Sequence, residues 1–174
     1  MAVGRSIVAT ALASLLMASC QAPTQITLDV TTDVDCALQP TTGITAGRLL
    51  DLDSRPVGTT TSQCVDTRIG SLVVTPSGDR SAEVAFKVVT SVGAPVEACQ
   101  PPDYGPSCIV AKRVLRYVEH QPLVVPIVMR EACRGVTCSA NQTCVAGKCK
   151  QAAVDPDQCV DGCGEEDLNP PSAG

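Results

Sequence analysis

The sequence predicts an all-β chain, an immunoglobulin-like or transthyretin-like sandwich followed by a small disulfide-rich module. Apolar and polar residues alternate in several short runs rich in β-branched side chains. No window sustains the i, i+3, i+4, i+7 spacing of a helix with one buried face. Six of the eleven cysteines crowd into residues 133–163. Six or seven short strands at this spacing favour two packed sheets.

Taken in order, residues 25–31 alternate strictly, with Ile26, Leu28 and Val30 on one face and Gln25, Thr27, Asp29 and Thr31 on the other. A further strand is expected near 44–52. Residues 68–75 and 82–92 flank Pro76-Ser77-Gly78-Asp79, and this turn chemistry predicts a hairpin. In the second of these runs Val84, Phe86, Val88 and Val92 point inward, and Glu83, Lys87 and Ser91 point to solvent. A second hairpin is expected between 109–118 and 123–129, across Glu119-His120-Gln121-Pro122. Pro126 cannot donate to a ladder, so that last strand belongs at an edge or a bulge.

Four cysteines punctuate this β region: Cys36, Cys64, Cys99 and Cys108. Closing the stiff segment between Cys99 and Cys108 is the easiest local pairing, which leaves Cys36 for Cys64, although four cysteines allow three arrangements. From Cys133 the composition changes. Cys133, Cys138, Cys144, Cys149, Cys159 and Cys163 are separated by short glycine-containing stretches with too little apolar material for a core, so crosslinks or a metal must hold the segment. Zinc is disfavoured, because there is no Cys-x2-Cys pair and only one histidine, and exported thiols are normally oxidised.

The run from Cys133 to Cys149, with Gly135, Val136 and Gly147, resembles the C-G-V-x-C-x5-C-x2-G-x-C signature of cysteine-rich surface lipoproteins of myxobacteria and their relatives. That resemblance implies a β domain ahead of the module and a lipid anchor. It is distantly similar to an EGF module as well, but lacks the Cys-x-Cys step.

The N-terminus agrees. Arg5 precedes the apolar run 7–17, which is too short to span a bilayer, and small residues follow. Met17-Ala18-Ser19-Cys20 resembles the lipobox of bacterial prolipoproteins, with Met17 where that family prefers Leu. The resemblance implies diacylglyceryl transfer to the Cys20 thiol, cleavage before it and acylation of the new amine; several acyl chains anchor where one is marginal. Gln21, not Asp, follows the cysteine, and the resemblance to Gram-negative lipoproteins then implies export to the outer membrane. Cysteine parity supports this reading: an ordinary cut near Cys20 leaves eleven cysteines, whereas lipidation leaves ten to pair.

The expected organisation is therefore a lipoprotein signal peptide at 1–19, an anchored linker at 20–23, the sandwich at 24–132, the cysteine-rich module at 133–163 and a disordered tail at 164–174. The sandwich is held by apolar burial and the module by crosslinks, so the two are expected to be separable.

The chain has 13 Lys and Arg against 18 Asp and Glu, and loss of Arg5 takes the net charge from −5 to −6. This disfavours nucleic acid and anionic lipid as partners. There is no Trp, and the aromatic residues are Phe86, Tyr104 and Tyr117, so no stacking platform for sugars or bases is expected.

Candidate sites are sparse. His120 lies in an expected turn with only Glu119 beside it, which is no catalytic triad. Asp33 with Asp35, and Asp155, Asp157 and Asp161 with Gly162, invite a calcium reading but lack the loop spacing that ends in a bidentate Glu. Lys112, Arg113 and Arg116 form one basic cluster, split between strand faces, and protection of an edge strand explains it. Asn141-Gln142-Thr143 matches a glycosylation triplet by chance. No motif for a cofactor, a phosphate loop or a nucleophile elbow is present. The expectation is a non-enzymatic, lipid-anchored envelope protein, attached to the membrane through its N-terminal lipid and acting in a structural or interaction role with an envelope partner. The alternatives are a small-ligand or calcium-binding envelope protein and, third, an enzyme.

Overall fold

The computed structural model describes residues 21–168, so the signal peptide 1–19, the lipidation residue Cys20 and residues 169–174 lie outside the described residues. It contains strands β1 (Gln25–Thr32), β2 (Thr41–Gly47), β3 (Thr59–Thr61), β4 (Arg68–Val74), β5 (Glu83–Ser91), β6 (Cys108–Arg116), β7 (Pro122–Met129), β8 (Gln142–Val145) and β9 (Lys148–Gln151). Strands β4, β1 and β7 form one sheet in that order, and β3, β2, β5 and β6 form the other. The chain is all-β, a sandwich plus a disulfide-rich module.

Both expected hairpins are corrected. The turns after β4 and β6 reverse the chain, but β4 and β5 belong to different sheets, as do β6 and β7. Turn residues specify a reversal and not a hydrogen-bonding partner. The long ladder instead joins β5 to β6, from Glu83 opposite Arg116 to Ser91 opposite Cys108. β1 pairs antiparallel with β4 and parallel with β7 over its whole length, so the first and last sandwich strands lie side by side. Pro126 sits in β7 at a sheet edge, where its missing donor does least harm.

The alternation of β1 puts Ile26, Leu28 and Val30 into the core, at most 1% exposed. They meet Val84, Phe86 and Val88 of β5 from the facing sheet, with Val125, Ile127 and Met129 of β7. Cys36–Cys64 and Cys99–Cys108 are disulfide-bonded, and the module carries Cys133–Cys144, Cys138–Cys149 and Cys159–Cys163. Within the module β8 and β9 form a hairpin around Ala146 and Gly147, both at positive φ, as a two-residue turn that follows the strand twist requires.

The composition break at Cys133 is not a break in packing. Cys133, Cys144, Val154, Cys163 and Leu168 belong to the same buried cluster as the sandwich core. Ala152 and Val154 hydrogen-bond to Val114 along the free edge of β6, and the Cys163 amide bonds to Val124 on the edge of β7. Residues 164–168, expected to begin a disordered tail, instead fold back. Leu168 is 4% exposed and bridges Val154, while Glu165 holds Arg130 at 2.7 Å. An apolar seat for Leu168 and a cation for Glu165 are the physical reasons.

Loss of everything after Arg130 should therefore expose core side chains and two sheet edges at once. The truncated chain should lose the cooperative melting of the full chain, followed by far-UV circular dichroism; an unchanged melting temperature would show that the module contributes no shared core.

Candidate functional site

Two features of the sandwich hold polar groups in organised surroundings. One is a charged cluster on the outer face of the four-stranded sheet. Lys87 and Lys112 lie directly opposite each other on β5 and β6. Their alternation does point them away from the core, as expected, yet their side chains are only 4% and 3% exposed. The excursions after β2 and β5, together with the module, cover that face: Leu52 packs on Ala85, Val114 and Ala152, and Val96 and Tyr104 pack on Val89 and Val110. Ser91 is likewise buried rather than solvent-facing.

Asp53 supplies the counter-charge. Lys112 Nζ donates to Asp53 Oδ2 at 2.9 Å, and Lys87 Nζ lies 3.7 Å from Oδ1. The Tyr104 hydroxyl donates to Oδ1 at 2.6 Å, and both ammonium groups lie 5.9 Å from the Tyr104 ring centre. Burial works to raise the Asp53 carboxyl, but hydrogen bonds from Tyr104 and Lys112 and the charges of both lysines outweigh it, so its pKa falls below the ordinary value. Burial lowers Lys87, with Asp53 pulling the other way and Lys112 adding repulsion. Burial and the Asp53 hydrogen bond raise Tyr104, which stays a donor. Two cations thus share one carboxylate, and the cluster holds the covering loops in place.

The same strand carries Arg113 toward the opposite face, 1% exposed. Its terminal nitrogen donates to Lys112 O at 2.8 Å and to Thr143 Oγ1 at 3.2 Å, while Nε finds no partner among the described residues. Burial lowers the guanidinium to about 10, partly offset by Glu165 and Glu166, so it remains charged at neutral pH. Lys112 and Arg113 therefore do not protect an exposed edge, as their sequence pattern predicts. Arg116, the third member of the cluster, pairs with Asp157 near the surface.

The second feature is a cleft of about 220 Å³ between β3 and β4, the sheet edges on the open side of the sandwich. Thr59, Thr60, Thr61, Gln63 and Ser71 form its rim, and Val30, Ile44, Ile69 and Leu72 its floor. Sequence reading missed it, because β3 is only three residues long and the cleft forms only where β3 and β4, edge strands of different sheets, come together.

The expected acidic candidates are used locally. Asp35 and Asp155 cap 3-10 turns through Ala37 and Asp157 amides, and Asp33 accepts from the Glu131 amide at 2.5 Å. Asp161 is exposed. Among the described residues no group of three or more His, Cys, Asp or Glu side chains is placed to hold a metal ion. His120 is an exposed turn residue at φ 59° whose amide donates to Thr24 Oγ1. Asn141 is exposed, and Thr143, two residues on, is buried against β6. Among the described residues no helix is long and apolar enough to cross a membrane. No protein-family model, curated protein or solved structure matches the chain.

Replacing Asp53 by Asn should leave two buried ammonium groups uncompensated and cost about 3 kcal/mol of stability at pH 7. A carboxyl whose pKa is lowered by folding stabilises above its unfolded value, 3.8, and that contribution is lost as pH falls through the folded value. The gap between wild type and Asp53→Asn should accordingly narrow in strong acid, and Lys87→Met should restore part of the loss. Denaturant titrations at pH 7 and in acid check this; an equal gap at both would show that charge is not the cause.

Proposed function

We propose that this is a lipid-anchored cell-envelope protein with a non-enzymatic structural or interaction role. The observation that carries the reading is the state of the cysteines. The ten cysteines after Cys20 pair with one another in five disulfides, leaving Cys20, at the end of Met17-Ala18-Ser19-Cys20, as the odd residue. An odd thiol at the end of an apolar leader fits lipidation better than crosslinking. The disulfides fit an oxidising compartment. The outer membrane is the destination that Gln21 implies, with the protein facing periplasm or cell surface.

The fold suits a tether at residue 20. β1 begins beside the turns at 75–80 and 117–122, and Thr24 accepts the His120 amide, so the chain enters at one end of the sandwich. Cys36–Cys64 and Cys99–Cys108 lie at the other ends of the strands, about 25 Å away along β1. The small-ligand alternative draws support from the cleft between β3 and β4; for calcium, an increase in melting temperature on adding the ion is the discriminating result.

Intact mass of the membrane-extracted protein should begin at a triacylated Cys20. Alkylation should label no thiol before reduction and ten after it, and Cys20→Ser should release the protein from the membrane. A lipid-free, water-soluble mature form in wild-type cells, or eleven labelled thiols, would overturn the proposal.

A further inference from the structure

The sandwich has four sheet edges, and they are treated unequally. The β6 edge is covered by Ala152 and Val154, and the β7 edge carries Pro126 and receives the Cys163 amide. The other two, β3 and β4, face each other across the cleft. β3 is only three residues long and β4 shifts register opposite Val30, but from Ile69 to Val74 β4 has neither proline nor a charged side chain to block an added strand.

We propose that this cleft binds an extended, uncharged polypeptide segment of an envelope partner, which adds a strand to β4. The inference rests on the interaction role proposed above and names the partner's chemistry. A strand edge presents a row of unpaired backbone donors and acceptors, which only another extended backbone satisfies in register. No charged residue lines the cleft, so phosphate, carboxylate or metal ligands have no counter-charge there. No aromatic residue lines it either, which removes the stacking surface that sugars and bases use. What remains is a hydroxyl and amide rim that bonds neutral polar groups and an aliphatic floor that takes small apolar side chains.

Gly70 is the most specific part of the argument. It lies in the cleft, at φ +154°, where the pairing of β1 with β4 shifts register between Val30 and Thr31. A Cβ built there would have no heavy atom within 4 Å, so packing does not demand the missing side chain. A glycine inside a strand, with open space beside it, leaves the backbone bare for another backbone to approach. Val30 is close to the end of β1 away from residue 21, so this approach is open on the side facing away from the proposed anchor.

The test is hydrogen–deuterium exchange of the oxidised mature protein in detergent micelles, with and without the capped peptide acetyl-Thr-Val-Thr-Val-Thr-amide. Exchange in the segment 68–74 should slow about tenfold at a peptide concentration about ten times its Kd. Thr59→Lys, which places an ammonium group on the exposed rim, should abolish the protection at an unchanged melting temperature, and Thr59→Ser should retain it. Ser71→Lys provides a second rim charge should Thr59→Lys lower stability. Absence of protection at any peptide concentration overturns the proposal, as does protection that both lysine variants leave intact. Protection of 68–74 by an N-acetylglucosamine oligomer but not by the peptide also overturns it. Intact mass of the same sample reports lipidation of Cys20, so failure of the anchor and failure of the cleft are read separately.

Discussion

Lys112 and Arg113 are neighbours on β6 that point to opposite faces, and both are buried. Removing two adjacent cations from water is costly unless each meets partners, and those partners must come from distant parts of the chain. On one face Asp53 and Tyr104 arrive from the excursions that follow β2 and β5. On the other, Thr143 of the module bonds Arg113, and Glu165 and Glu166 supply negative potential. Thr143 also accepts the Lys112 amide at 2.9 Å, so one module hydroxyl serves both residues. The covering loops and the module are arranged around β6 because β6 cannot be left wet on one side or unpartnered on the other.

This arrangement explains how a chain with three aromatic residues and no Trp builds a stable interior. Phe86, Tyr104 and Tyr117 are all buried, and the rest of the apolar core is made of aliphatic side chains, Met129 and disulfide cysteines. A second buried layer on the outer face, made by the loops and the module, adds apolar area that a two-sheet sandwich alone would leave in water. Disulfides limit the entropy of the irregular segments that form this layer. By loop length the Cys36–Cys64 bridge is worth about 3–4 kcal/mol and the short Cys159–Cys163 bridge about 2. The short bridge acts chiefly by position, since it delivers Cys163 to β7 and Glu165 to Arg130.

The layer is one-sided. Segments that wrap β6 and β7 close one flank of the sandwich, while β3 and β4 keep the other open. The proposed tether at one end of the strands and the cleft on the flank toward the other give the molecule a direction, with its anchor and its open edges well separated.

Local chemistry was legible in the sequence wherever a rule of short range applied. Alternation in 25–31 and 82–92 identified the core faces of β1 and β5, since side-chain period two survives in any sheet. Turn residues located the reversals after β4 and β6, and proline placed β7 at an edge. The spacing of Cys99 and Cys108 made their pairing the easiest. What the sequence could not decide was which strand lies beside which, because a reversal costs the same whether the chain returns within its sheet or crosses to the other. Nor could it decide exposure: Lys87, Ser91 and Lys112 obey the polar side of the pattern on the outer face, yet that face is covered by loops and the module, and Arg113 is buried on the opposite face. Burial of a charged side chain is a property of what is packed on it, and only the tertiary structure brings Asp53, Thr143 and Glu165 to β6.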